Sequence, residues 1–286
     1  MDAMAVPNLT VEIEPIARML ADYWVGFADL TRVDNIEDGS ILGSGTLVTV
    51  GKLAGVVTAR HVAEVLRKLK ARSGARAQIV RMSRKNGGHV RHELDLRQAE
   101  FVLSPGLDGP NGPDLAFVVL SVENETTLKA TNSFYPLDKD LPSLKGNYPA
   151  PVQIDMALGV VAEWTTDLEV TAEGGKRNFT LIAFTGHSQN EREHEGYDLA
   201  TLVPPPEADI LLPKSFGGVS GGGVWRVFYK PDGSNTVVDS RLIGTAFYEL
   251  PTEGRTNLIH HGLRSLETKL IPLIRERWPG AVSERQ

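Results

Sequence analysis

The sequence predicts an all-β protein, a sandwich or a barrel, on two observations. Short apolar runs rich in Val, Ile, Thr and aromatic residues recur along the chain, and Gly, Pro, Asn or Asp breaks each from the next. Against this background two stretches carry the 3.6-residue periodicity of a surface helix, so helices are accessory.

Taken in order, the strand-like runs are "ILGSGTLVTV" at 41–50, "LAGVVTA" at 53–59, "DLAFVVL" at 114–120, "NFTLIAFT" at 178–185, "VWRVFY" at 224–229 and "RLIGTAFYEL" at 241–250. The first helical stretch, "HVAEVLRKLKAR", places Val62, Val65, Leu66 and Leu69 on one face. The second, "LRSLETKLIPLIRERW", repeats Leu263, Leu266, Leu270 and Leu273, and Pro272 marks a break or restart because it lacks an N–H. Residues 121–151 are polar and punctuated by proline, which predicts a connection between two halves.

At 286 residues, 41% hydrophobic and 23% charged, the chain suits one large domain or two modest ones. Thirty Lys and Arg against 36 Asp and Glu give a net charge of −6, which argues against a DNA or RNA partner. With no cysteine, neither a disulfide framework nor a thiolate metal site can form. The N-terminal stretch carries acids early and lacks a basic segment followed by an apolar one, and no run reaches the roughly 18 apolar residues of a membrane span. The expectation is a cytoplasmic protein without membrane contact.

The stretch "SFGGVSGGGVW" at 215–225 sets five glycines around Ser220, more than a turn requires. An activated serine needs a base within hydrogen-bond reach and a carboxylate to orient it. His61 stands at the junction of "GVVTAR" and the first helix, where its backbone is fixed and its side chain can face a cleft. Asp114 opens the run "DLAFVVL" after a Gly-Pro-rich loop, at the mouth of a buried strand. The remaining histidines carry weaker signals. His89 and His92 have an i, i+3 spacing that suits zinc on a helix, but no third ligand is placed and no metal is expected. These two, with His187 and His194, lie in very polar segments read as solvated loops, while His260 and His261 are adjacent and would point to opposite faces of a strand.

In order along the chain, "GSGTLVTV" at 43–50, "VTARHV" at 57–62, "DLAFVVL" at 114–120 and "GVSGGGVW" at 218–225 resemble the four signature motifs of the chymotrypsin/trypsin-like serine peptidases, especially the bacterial trypsin-like peptidase domains. The resemblance spans about residues 40–265, carried by these four islands. It implies two six-stranded antiparallel β-barrels with a C-terminal helix, residues 1–125 carrying His61 and Asp114, and 126–286 carrying Ser220. It further implies His61 as general base, Asp114 as its orienting partner, Ser220 as nucleophile, and an oxyanion hole from the N–H groups of Gly218 and Ser220. The substrate is then a peptide or protein, and no cofactor or metal is required. Counting back from the nucleophile puts the pocket floor at Lys214, with Phe247 and Tyr248 beside it, which implies a preference for an acidic side chain before the scissile bond.

The family's usual "GDSGGP" reads "GVSGGG" here. Val219 cannot form the ion pair with a newly cleaved N-terminus that the Asp forms in secreted members, so the hole must be ordered otherwise and an activating protein partner becomes an option for control. Two other readings fit the same letters. G-x-S-x-G is also the nucleophile elbow of α/β-hydrolases, which needs a helix after the serine, with Asp239 and His260 as the later partners. A silent module of the same fold would use its cleft only to bind a peptide or protein partner.

Overall fold

Each of the six runs read as a strand lies in one, although only 116–119 of the run at 114–120 and 53–58 of the run at 53–59 are strand. The computed structural model describes residues 13–33, 36–71, 76–82, 89–106, 109–140, 152–171, 174–205, 212–230, 236–252 and 255–281. A helix α1 (Ile13–Leu20) leads into β1 (Trp24–Val33), β2 (Ile36–Val50), β3 (Leu53–Thr58), helix α2 (Arg60–Lys70), β4 (Arg76–Met82), β5 (His89–Asp95), β6 (Glu100–Leu103) and β7 (Ala116–Val119). These strands pair antiparallel in the order β5-β4-β1-β2-β3-β7-β6. Six are consecutive from β4 to β6; β5 extends one end, and β8 (Tyr135–Pro136) adds a short parallel pairing to Val48 and Thr49 of β2. The second unit contains β9 (Val152–Thr171), β10 (Gly174–His194), β11 (Tyr197–Val203), β12 (Gly223–Tyr229), β13 (Val237–Thr252) and β14 (Arg255–His261), closed as a six-stranded barrel in the order β10-β11-β14-β13-β12-β9. The protein is therefore all-β, built of two antiparallel units of which the second closes as a six-stranded barrel, with a C-terminal helix.

Burial explains why these runs become strands. From Ala54 to Thr58 every residue of β3 is buried, as a continuous apolar run on an interior strand requires. Helix α2 buries Val62, Ala63, Leu66 and Leu69, while Val65, expected on the same face, is only partly buried. The segment read as a bare connection folds further than expected. It holds α3 (Val122–Lys129), β8 and α4 (Leu137–Asp140). Ser121 caps α3 by accepting from Asn124 N at 3.2 Å, and Leu128, Tyr135 and Leu137 are buried. His89 and His92 fall in β5, and His187 and His194 in β10, so strands stand where solvated loops were expected. The β10 ladder supplies the main-chain bonds that those polar residues gave no sign of.

The two units share a core. Trp24, Val48 and Val57 from the first sheet meet Met156, Val160 and Trp225 from the second. Tyr23, Tyr135 and Trp225 cluster together, Tyr135 edge-on and Tyr23 tilted against the tryptophan, with ring centroids 5.2 Å apart for both pairs that include it. After β14 the chain forms α5 (Leu263–Ser265), a π-helical turn (Leu266–Leu270) and α6 (Ile271–Arg277). Pro272 stands at the start of α6, where its missing N–H costs least, so the expected restart is observed. Leu266, Leu270, Ile271 and Ile274 bury against the shared core, each contributing about 1.5–3 kcal/mol. Beyond them Arg277 reaches the first sheet, donating to Phe101 O at 3.1 Å and Glu100 Oε2 at 3.0 Å, and Ala281 O accepts from Lys52 N at 2.9 Å. The last helix thus ties the second barrel back to the first sheet. Among the described residues no helix is long and apolar enough to cross a membrane.

Candidate active site

His61 lies in the first turn of α2, directly after the buried strand β3. The helix has no side-chain N-cap of its own, since Ala59 holds that place. Asp114 supplies one: its Oδ1 accepts the His61 backbone N–H at 2.9 Å, and its Oδ2 accepts from His61 Nδ1 at 2.5 Å. A single carboxylate therefore fixes both the main chain and the ring of His61. Because a carboxylate only accepts, the ring proton sits on Nδ1 and the Nε2 lone pair is free to act as a base. The His61 side chain is 45% exposed and that of Asp114 16%, so the base reaches the cleft while its partner stays sheltered.

Asp114 is held from behind by a residue that the motifs did not single out. Its backbone N–H donates to His261 Nε2 at 2.9 Å, and the His261 ring stacks on Phe247 with centroids 4.6 Å apart. His260, its neighbour on β14, points the other way and meets Ser188 Oγ at 3.0 Å, the alternation expected of adjacent strand residues. Burial pushes the His261 pKa down to about 4, outweighing the nearby charges of Asp114 and Asp198 that raise it. The native state therefore binds fewer protons than the unfolded chain between about pH 4 and the free value of about 6.5, and stability falls as pH drops through that window. We expect a loss on the order of 3 kcal/mol by pH 4. Burial also lowers the His260 pKa, adding in the same direction. Urea unfolding at pH 7 and pH 4.5 checks this, with a shallower pH slope for His261→Gln; an unchanged slope in that variant refutes it.

Ser220 stands in the turn that leads into β12, and the glycines around it have assignable work. Gly218 has φ 93° and Gly221 φ 89°, both in the left-handed region. A Cβ on Gly221 would lie 2.1 Å from both Ser44 O and Thr58 Oγ1, so no side chain fits there. Four amides of the turn are spent: Gly217 N on Ser215 Oγ at 3.1 Å, Val219 N on Phe216 O at 2.9 Å, Gly221 N on Ala246 O at 2.7 Å and Gly222 N on Val219 O at 2.8 Å. The N–H groups of Gly218 and Ser220 have no partner among the described residues. Both are held in plane by what binds their neighbours, because the C=O of Gly217 accepts from Ala162 N at 2.8 Å and that of Val219 from Gly222 N at 2.8 Å. Val219 is fully buried among Phe184, Phe216 and Val224, so apolar packing occupies the place of an ion pair.

His61, Asp114 and Ser220 line one cleft of about 380 Å³ together with Phe247, Tyr248 and Glu249. The Ser220 hydroxyl donates to Phe247 O at 3.3 Å. Lys214, expected at the pocket floor, is exposed and absent from the lining; its backbone N–H donates to Glu163 Oε1 at 3.1 Å. Counting residues back from the nucleophile failed because Glu163 and Glu249 hold this loop against the barrel. Glu163 also accepts from Ser215 N at 3.0 Å, and Glu249 from Phe216 N at 2.6 Å. The charged residue facing the cleft beyond the triad is thus an acid, Glu249, which removes the reason for an acidic preference. No local signal marked it, because the ladder is irregular between Ala246 and Tyr248 and four consecutive residues, Ala246 to Glu249, line the cleft.

A second serine and histidine, Ser188 and His260, line a separate cavity of about 330 Å³ in the second barrel. It lacks what reactivity needs. His260 Nδ1 bonds His261 O at 2.9 Å, which leaves Nε2 facing Ser188 Oγ, but a carbonyl rather than a carboxylate backs the ring and burial depresses its basicity, while the Ser188 N–H is spent on Asp155 Oδ2 at 3.0 Å. Burial alone would raise the Asp155 carboxyl, but the Arg226 fork at 2.7 and 3.0 Å and Ser188 outweigh it and hold it below the usual range. Ser220 leads into the strand β12 rather than a helix, which is contrary to a nucleophile elbow, and Asp239 bonds Arg241 instead of His260.

No family model matches the chain, and no curated protein matches its sequence. Solved structures do resemble it in chain course. One comes from work on the aromatic interactions that drive coupled folding and binding of the intrinsically disordered Sesbania mosaic virus VPg protein, at 14% identity over 87% of this chain and 90% of that one, with a TM-score of 0.41. Another is the scabies mite inactivated protease paralogue S-I1, at 12% identity over 91% of this chain and 97% of that one, with a TM-score of 0.48.

Proposed function

We propose that the protein is a serine endopeptidase that cleaves peptide bonds through Ser220, His61 and Asp114. The observation that carries this reading is the presence of three things at one cleft and in the serine turn that borders it. These are a histidine held in the basic tautomer by a carboxylate, a serine, and two unspent backbone N–H groups beside that serine. Ser220 Oγ turns from Phe247 O to His61 Nε2, gives up its proton there and attacks the carbonyl carbon. Gly218 N–H and Ser220 N–H receive the negative charge that develops on the carbonyl oxygen, each worth on the order of 3 kcal/mol in the transition state. His61 then protonates the leaving amine, Asp114 stabilises the imidazolium, and water repeats the sequence on the acyl-enzyme. The residues themselves supply every proton and charge in this scheme, without a cofactor.

The test is covalent labelling by a fluorophosphonate, which reacts measurably only with a serine that has both a base and an oxyanion hole. Labelling is expected at Ser220 and is lost in Ser220→Ala and His61→Ala. Labelling at Ser188, or labelling indifferent to His61→Ala, overturns the assignment. The turn of Ser220 Oγ toward Phe247 O also suits a silent module that binds a peptide in the cleft. Folded protein that stays unlabelled but binds peptides supports that second reading. Buried Val219 calls for no N-terminal ammonium, so the full-length chain is expected to label without trimming; its first twelve residues lie outside the described ones. Labelling that begins only after their removal contradicts this, and points to the chain start or a protein partner as the control.

A further inference from the structure

Ser44 lies on β2, fully buried, in a position where an unpaired hydroxyl would be costly. Each of its polar groups has a partner. Its N–H donates to Ser220 O at 2.7 Å, and its C=O accepts from Thr58 Oγ1 at 2.7 Å. Its hydroxyl donates to Gly218 O at 2.7 Å and accepts from Val160 N at 3.1 Å. One residue of the first sheet therefore grips the serine turn at two points and β9 at a third, while Thr58, three residues before His61, grips it in turn.

The two carbonyls it binds belong to Gly218 and Ser220, the same two residues whose N–H groups are unspent. We propose that Ser44 is a positioning residue that sets the oxyanion donors, doing through two hydrogen bonds what a buried ion pair cannot do here because residue 219 is Val. This rests on the peptidase reading above. Ser44 fixes the peptide planes that follow Gly218 and Ser220, while Ala162 N on Gly217 O and Gly222 N on Val219 O fix the planes that carry their N–H groups, so each donor residue is held on both sides of its Cα and Gly218 keeps its left-handed φ of 93°. The hydroxyl decides the matter, since a glycine or alanine at 44 would keep the main-chain bond to Ser220 O but release Gly218 O and leave Val160 N without an acceptor.

The experiment compares wild type, Ser44→Ala and Ser44→Cys, which keeps the bulk but has a weaker donor. The second-order rate of fluorophosphonate labelling, its pH midpoint and the amide exchange of Val160 are read for each. Ser44→Ala is expected to label roughly 10- to 100-fold more slowly, less than the 10²–10³ lost with an oxyanion donor itself. Ser44→Cys falls between the two. The pH midpoint stays where it is in wild type, because His61 and Asp114 are untouched, and Val160 exchanges faster. Labelling of Ser44→Ala within twofold of wild type overturns the proposal, as does a slowed rate accompanied by a shifted midpoint, which marks general loosening. If Ser44→Ala does not fold, Ser44→Cys labelling at the wild-type rate overturns it in the same way. A wild type that never labels instead overturns the peptidase reading itself, and the role of Ser44 with it.

Discussion

Asp114→Asn is expected to slow acylation of Ser220 by about four orders of magnitude with the fold intact. The usual reason is that an amide in place of the carboxylate holds the wrong imidazole tautomer, and here the backbone decides which way the amide must face. The His61 N–H donates to Oδ1, so an asparagine has to keep its oxygen there. Its NH₂ is then forced against His61 Nδ1, where only an acceptor can stand opposite it. The ring proton moves to Nε2, which can no longer take the serine proton. Labelling rates and near-UV circular dichroism measure this together. A variant within tenfold of wild type shows that Asp114 does not set the tautomer.

Val219→Asp is expected to destabilise the fold by about 3–5 kcal/mol at pH 7, the range found when a buried charge is left without its partner. Val219 has no exposure, and a Cβ on Gly159 would come within 2.7 Å of its Cα, so the site is closed on the backbone side as well. Its neighbours Ala157, Val161, Phe184 and Phe216 offer a carboxylate nothing to pair with. Urea unfolding should recover part of the loss near pH 4, where the carboxyl is neutral. Unchanged stability at pH 7 means that a cation or water reaches position 219, and the apolar account of the turn fails.

The parts of the molecule that could be read in the sequence were those with a local cause. The runs at 53–59 and 224–229 are apolar but for Thr58 and Arg226 because their strands are buried along most of their length, and α2 announces itself by spacing. Motif letters surround His61, Asp114 and Ser220, and the fold brings these three to one cleft. What escaped was set by pairing between segments. β9 and the ends of β10 beyond 178–185 carry Asp, Glu, Arg and Lys that no alternation marks as strand, yet each strand supplies the ladder for the other. Ser121 opening α3 was a visible capping signal, outweighed by the prolines that follow. His261 lies 147 residues from the amide it accepts from, and Ser44 lies 174 from the carbonyl it binds, so neither role has a local signature. Lys214 failed for a related reason, because the backbone of its loop is held by two glutamates far along the chain.

The tie between α6 and the first sheet has a consequence in time. Synthesis runs from the N-terminus, so His61, Asp114 and Ser220 are all made before Arg277 and Ala281, whose contacts with Glu100, Phe101 and Lys52 fasten the second barrel to the first sheet. Leu266, Leu270, Ile271 and Ile274 also arrive late, and the shared core stays open on that side until they do. A growing chain thus holds all three site residues while the surfaces that press the two halves together are incomplete. Closure of the shared core, and with it the alignment of residues contributed by both halves, waits on residues 263–281.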